Sequence, residues 1–121
     1  MNQQGITTNG ITTRVAGAAI KRGQALKLDA AGKVVPCAAA TDIPLFVAQW
    51  DAAAGQNAAC GVLGSIPGTF LALVTAAVAA GDNIGVLGQV AATGAATVGK
   101  AIRAGAANDL VEFAHRVAVI L

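Results

Sequence analysis

Apolar and polar residues alternate over short stretches of this chain, and the alternation is clearest in the segment 25–36. Two leucines flank a lysine there, and two valines follow after a short polar break. Apolar residues at every second position place one side of a strand in a core. Asp29 suits a tight turn because its carboxylate accepts hydrogen bonds from nearby main-chain N–H groups, and Gly32 adopts positive φ without a Cβ clash. The segment predicts a β-hairpin that ends at Pro36, which has no N–H to donate.

The same order of small residues, a glycine or asparagine, and then a β-prone run recurs four more times along the chain. The turns are unevenly spaced, so they do not form a solenoid repeat. Short strands between such turns predict an all-β fold, a small compact barrel or sandwich with at most a short helix. The residues assigned to structural turns are Asp29, Gly32, Gly55, Gly81, Asp82 and Asn108.

The longest alternation lies in the segment 110–121, where Val111, Phe113 and His115 share one face. A helix capped by Asp109 is the alternative, but the period of two and the β-branched residues favour a strand. The sequence does not decide the secondary structure of two shorter segments. Segment 76–80 fits either a helical turn or a loop, and segment 100–104 fits either a strand or a helical turn.

Residues 1–14 differ from the rest because they are polar, β-branched and punctuated by glycine. They have strand propensity but too little apolar area to fold alone. We therefore expect an extended N-terminal arm at 1–14 and a single β-rich domain at 15–121. The arm is either a frayed terminus or a strand that pairs with an exposed sheet edge on a partner. The candidate contact residues are Ile6, Thr7, Thr8, Ile11, Thr12, Thr13 and Arg14.

Three aromatic residues are candidate anchors of the core or of an oligomer interface, namely Phe46, Trp50 and Phe70. Phe46 and Trp50 share one face of a strand expected at 45–51. A core position is favoured for them because buried aromatic side chains are the commoner case. At an interface, the tryptophan is a candidate hot spot.

Composition narrows the classes of partner. The 121 residues fit one domain with a modest core, 55% of them are hydrophobic, and alanine is the commonest. Only 12% are charged, which favours a protein that packs against neighbours. The net charge of +2 is too small to indicate a nucleic-acid partner. The longest clean apolar run, near 70–80, is too short for a membrane span, and no signal peptide is recognised at the N-terminus.

No catalytic motif emerges, and we expect no enzyme activity, no cofactor and no metal. His115 is the single histidine, and most acidic residues fall at turns, where they have a structural role. No phosphate-binding or dinucleotide glycine pattern is present. Cys37 and Cys60 have the wrong spacing for zinc, and the sequence leaves open whether they pair.

Two other functions stay open as alternatives. The first is a small carrier or ligand-binding β-barrel, because the turn at 81–84 before a β run resembles those of the small barrels that carry biotin or lipoate. Such carriers need a modifiable lysine at a hairpin tip, and Lys33 lies at one. The residues around it lack the carrier triplet. The second is a tail or fibre module of a virion surface, although such modules usually show repeats or low-complexity stalks, and neither is present.

The order of the turn motifs between about 20 and 115 resembles that of bacteriophage capsid decoration (cement) proteins. The matching segments are 23–36, 48–56, 79–82 and 99–113. The resemblance implies a compact β domain without catalytic residues that binds the outer surface of the expanded capsid and stabilises contacts between major capsid protein subunits. It also implies a homo-oligomer, most often a homotrimer, made in the host cytoplasm and located on the virion. The role of the arm is a hypothesis independent of this resemblance.

Overall fold

The computed structural model describes residues 10–65 and 68–120, which form nine β-strands and no helix. The all-β fold class predicted from the sequence is confirmed. With no helix among these residues, none is available that could cross a membrane. The strands are β1 (Ile11–Val15), β2 (Ala25–Leu28), β3 (Val34–Pro36), β4 (Phe46–Ala48), β5 (Asn57–Val62), β6 (Thr69–Leu73), β7 (Asn83–Gly85), β8 (Ala96–Ala101) and β9 (Leu110–Ile120).

The first five strands form one antiparallel sheet in the order β1-β5-β4-β2-β3. A parallel bridge joins Ala16, just after β1, to Val34 in β3, and the N–H of Gly17 donates to the carbonyl of Val34 at 2.8 Å. Because β1 and β3 are the two edges of this sheet, the bridge curls it into a small barrel. The buried interior consists of Ala16, Ile20, Leu26, Val34, Phe46, Ala48, Ala52, Ala58 and Cys60.

The last four strands form a second antiparallel sheet in the order β6-β9-β8-β7. A second core fills the space between this sheet and the barrel, with Phe70 and Phe113 as its largest side chains. Strand β4 belongs to both cores, because Phe46 points into the barrel whereas Val47 points into the second core. Because successive side chains of a strand point to opposite faces, this three-residue strand contributes to the cores of both layers.

The residues assigned to turns lie where the chain reverses. Oδ1 of Asp29 accepts hydrogen bonds from the N–H groups of Ala31 and Lys33, both at 2.9 Å. Oδ2 of Asp82 accepts from the N–H of Ala79 at 2.8 Å. Positive φ angles occur at Gly32 (79°), Gly55 (86°), Gly81 (89°) and Asn108 (72°). Asn108 tolerates this conformation because asparagine is one of the few residues other than glycine that adopts it.

The segments left open by the sequence are not helical. The segment 110–121 forms a strand, β9, over its described residues. Residues 76–80 form a loop in which Val78 bridges Gly105. Strand β8 runs to Ala101, and the chain then bends without a helical turn.

Part of the expected arm is instead an edge strand of the domain. Residues 11–14 belong to β1, which pairs with β5 in the register Ile11↔Gly61 to Val15↔Asn57. Ile11 packs against the core between the sheets. The boundary expected after residue 14 therefore falls inside β1. The candidate contact residues Ile6, Thr7 and Thr8 lie outside the described residues.

Candidate interaction surfaces

The aromatic side chains divide sharply between interior and surface. Phe46, Phe70 and Phe113 have exposed fractions of 6%, 8% and 0%, whereas Trp50 is 62% exposed. The expected core position of Trp50 is wrong because β4 ends at Ala48. The chain bends after that residue, so the alternation that puts Trp50 on the face of Phe46 no longer applies.

Trp50 forms a surface pair with Arg22. The guanidinium carbon of Arg22 lies 4.6 Å from the centre of the indole ring, within the range of a cation–π contact. The main-chain N–H of Arg22 donates to Oδ1 of Asp51 at 2.8 Å. The N–H of Gly23 donates to the carbonyl of Ala48 at 2.8 Å. The residues next to the pair in sequence, Gly23 after Arg22 and Asp51 after Trp50, are therefore each held by a hydrogen bond.

A second exposed surface lies at the opposite end of β4, where the barrel meets the end of β9. A depression of about 210 Å³ is lined by Pro44, Leu45, Phe46, Val62, Leu63, Val117 and Ala118. Val117 is 68% exposed, and Leu45 is 46% exposed. We define the apolar end as the exposed residues Leu45 and Val117 together with the half-buried Val62 and Ala118, all of which line this depression. Exposed apolar groups in one region of a small protein indicate an interaction surface.

His115 joins the apolar end to the loop that follows β5. Nδ1 of His115 accepts a hydrogen bond from the N–H of Gly64 at 2.8 Å, and its ring stacks on Phe70 with centroids 4.3 Å apart. Burial lowers the pKa of His115 below its ordinary value of 6.5. The neutral ring therefore carries its proton on Nε2. The nitrogen that would accept a proton from another group is therefore already bonded to the main chain.

The third surface is the outer edge of β1. The carbonyl of Gly10 accepts from Val62, and the N–H of Ala16 donates to Gln56, so alternate residues from Gly10 to Ala16 bond to β5. The main-chain groups of Thr13 therefore point away from β5, whereas Val15 and Gly17 flank the bridge between Ala16 and Val34. An edge with outward N–H and C=O groups is able to pair with a strand of another chain.

The two cysteines are free thiols in separate cores. Cys60 lies inside the barrel, and Cys37 lies between the sheets. Burial raises the pKa of each thiol to about 11, and the carboxylate of Asp42 adds to the effect at Cys37. A thiol with so high a pKa is a poor nucleophile and a poor metal ligand at neutral pH.

The described residues hold no cluster of three or more potential metal ligands. A cavity of about 110 Å³ lies between the sheets, lined mainly by apolar groups such as Val47, Ile84 and Val98. Sites for small ligands usually measure at least ~300 Å³. The cavity therefore gives little support to a ligand-binding barrel. Lys33 lies at the hairpin tip, and its main-chain N–H is bound by Asp29.

The chain matches no protein-family model, and no curated protein is similar to it in sequence. Among solved structures, it is similar to the N base of the head fiber protein gp8.5 of bacteriophage phi29. The two structures share a TM-score of 0.68 over 92% of this chain and 97% of that chain, with 17% sequence identity. At this level of identity, the similarity shows a shared fold over nearly the whole length of both chains.

Proposed function

We propose that this chain is a structural protein of a bacteriophage virion. It binds the outer surface of the capsid and stabilises contacts between major capsid protein subunits. The observation that carries this proposal is the fold, which matches the base of a phage head fiber over 92% of the chain. The turn motifs that resemble capsid decoration proteins support the same assignment from the sequence.

The surface of the domain suits such a role. The apolar end places Leu45 and Val117 in water, although a free domain gains nothing from exposing them. Burying apolar area stabilises a contact by roughly 25 cal/mol per Å². A protein that binds only the expanded shell stabilises that form by mass action. Many modest contacts of this kind then strengthen the whole capsid without any chemistry.

The edge of β1 is the proposed second contact. Thr13 offers main-chain groups for strand pairing, and the N-terminal residues before Gly10 precede the same edge in the chain. We assign these residues to attachment on the shell, with the major capsid protein as the partner. Assembly into a homo-oligomer, with a trimer favoured, gives each attachment site avidity.

Co-sedimentation with expanded and unexpanded capsids of the same phage tests the proposal. We expect saturable binding to the expanded form alone. Val117→Asp introduces a charge at the apolar end and is expected to weaken binding at least tenfold, a change of ~1.4 kcal/mol. Ile102→Asp makes the same kind of change at a residue that is 47% exposed outside the apolar end, and it serves as the matched control. Absence of binding to either capsid form would falsify the proposal.

A head-fiber base is the second candidate, favoured by the identity of the similar phi29 structure. Electron microscopy of capsids mixed with the protein separates the two. A decoration protein covers the shell as compact densities, whereas the base of a fiber carries an elongated density at each attachment point.

A further inference from the structure

We propose that the pair Trp50–Arg22 is a docking site for a carboxylate on a protein partner, an Asp or Glu side chain beside an apolar group. Identifying that partner as a shell subunit rests on the proposed function. The docking site itself rests on the geometry of the pair.

Selective exposure is the first argument. The domain buries each of its three phenylalanines and leaves its single tryptophan 62% exposed. Tryptophan and arginine are the residue types that most often dominate the energy of protein interfaces. Here the guanidinium carbon of Arg22 lies over the indole ring of Trp50, so one site presents both an apolar ring and a cation.

The charge of the site is the second argument. Within the described residues, the guanidinium of Arg22 has no carboxylate partner, because the ion pairs there are Lys27–Asp42 and Arg103–Glu112. Asp51 is adjacent, but its Oδ1 accepts the main-chain N–H of Arg22. A ring accepts no conventional hydrogen bond from the guanidinium over it, so the N–H donors of Arg22 can still bind a carboxylate, which arginine does in a bidentate manner.

The rigidity of the turn is the third argument. Gly23 is fixed on both sides, since its N–H donates to Ala48 at 2.8 Å and its carbonyl accepts from the N–H of Leu73 at 2.9 Å. Its φ is 86°, and a Cβ at this position would lie 2.5 Å from the nitrogen of Leu73. The N–H of Lys21 donates a hydrogen bond to Oε1 of Gln24 at 2.9 Å, and this bond closes the turn. A preorganised site loses little conformational entropy when it binds.

Fluorescence tests the site directly, because Trp50 is the only tryptophan and the chain has no tyrosine. At constant ionic strength, iodide should quench the emission more strongly than caesium, and Arg22→Gln should reduce the difference at least twofold. Poly-L-glutamate should shift the emission of the wild type in a saturable manner but leave Arg22→Gln unchanged. Arg103→Gln removes the charge of an exposed arginine outside the site and is the control. Equal quenching in wild type and Arg22→Gln, or no response to poly-L-glutamate, overturns the proposal.

Capsid binding tests the same site in its proposed context. Arg22→Gln and Trp50→Ala should each weaken binding to expanded capsids at least tenfold, while Arg103→Gln binds like the wild type. Melting temperatures of all variants show whether the domain stays folded. If the wild type binds and both variants bind equally well, the docking site is refuted although the proposed function stands. If the wild type does not bind, the proposed function fails and the fluorescence measurements decide the docking site.

Discussion

The N–H of Gly64 donates a hydrogen bond of 2.8 Å to Nδ1 of His115, which lies 51 positions further along the chain. This bond connects the loop after β5 to β9, and it fixes the tautomer of the imidazole. Phe70 stacks on the same ring and holds its plane. Protonation of Nδ1 would place two donors against each other, so the contact exists only while His115 is neutral.

The first prediction is a loss of stability in mild acid. Burial lowers the pKa of His115 in the folded state below the 6.5 of the unfolded chain, so the unfolded state binds more protons. The contribution of the neutral ring is complete above pH 6.5 and is lost as pH falls from 6.5 through the lowered pKa. Urea unfolding at pH 7.5 and 5.5 measures this change. His115→Asn, which keeps an acceptor but does not titrate, should lose stability less steeply; an equal slope in both proteins would contradict the assignment.

The second prediction separates backbone strain from steric exclusion at two glycines. Gly32 has a φ of 79°, and a Cβ added there would have no atom within 4 Å. Gly32→Ala should therefore lower the free energy of unfolding only by the strain of an alanine in the left-handed conformation, ~1–2 kcal/mol. Gly99 also has a positive φ, 151°, and there steric exclusion adds to the strain, because a Cβ would lie 2.0 Å from the carbonyl oxygen of Ala114 in the neighbouring strand β9. Gly99→Ala should therefore destabilise the fold by more than ~3 kcal/mol or prevent folding. Chemical denaturation measures both, and a smaller effect at Gly99 than at Gly32 would refute the packing argument.

The third prediction concerns the thiols. Cys37 and Cys60 are buried, and burial raises the pKa of each to about 11. We expect neither to react with a disulfide reagent at pH 8 in the folded protein and both to react in urea. Rapid reaction of one thiol without denaturant would show that its core opens locally. Mass spectrometry after brief alkylation identifies which one.

Local patterns are enough to predict the fold class and several of the strands. The alternation at 110–121 identifies β9, and the turn residues Asp29 and Gly32 mark the hairpin where the chain reverses. These features depend on neighbours in sequence, so a single chain shows them. The pairing of the barrel edges through Ala16 and Val34 depends on residues far apart, and no local pattern encodes it.

The surfaces are harder to predict because each depends on where a strand stops. Alternation with Phe46 assigns Trp50 to the core, but the end of β4 at Ala48 places it in solvent. The polarity of residues 11–14 assigns them to an arm, but an edge strand with one solvated side is polar for the same reason. Polarity alone does not separate an edge strand from a free segment.

The last prediction tests the arm, and β1 determines how the deletion must be made. Removal of residues 2–14 takes away most of β1 and the packing of Ile11 against the core. It should destabilise the domain by at least ~2 kcal/mol, since burying an isoleucine alone contributes ~1.5–3 kcal/mol. Removal of residues 2–9 leaves β1 in place and is the informative change.

We expect the 2–9 deletion to keep a melting temperature within a few degrees of the wild type and to bind expanded capsids at least tenfold more weakly. Differential scanning calorimetry and co-sedimentation measure the two effects on the same preparations. A second variant, with Ile6, Thr7 and Thr8 replaced by serine, keeps the length of the arm and removes its β-branched and apolar groups. If both variants bind like the wild type, attachment depends on the folded domain alone, and the apolar end and the Trp50–Arg22 pair become the contacts to mutate next.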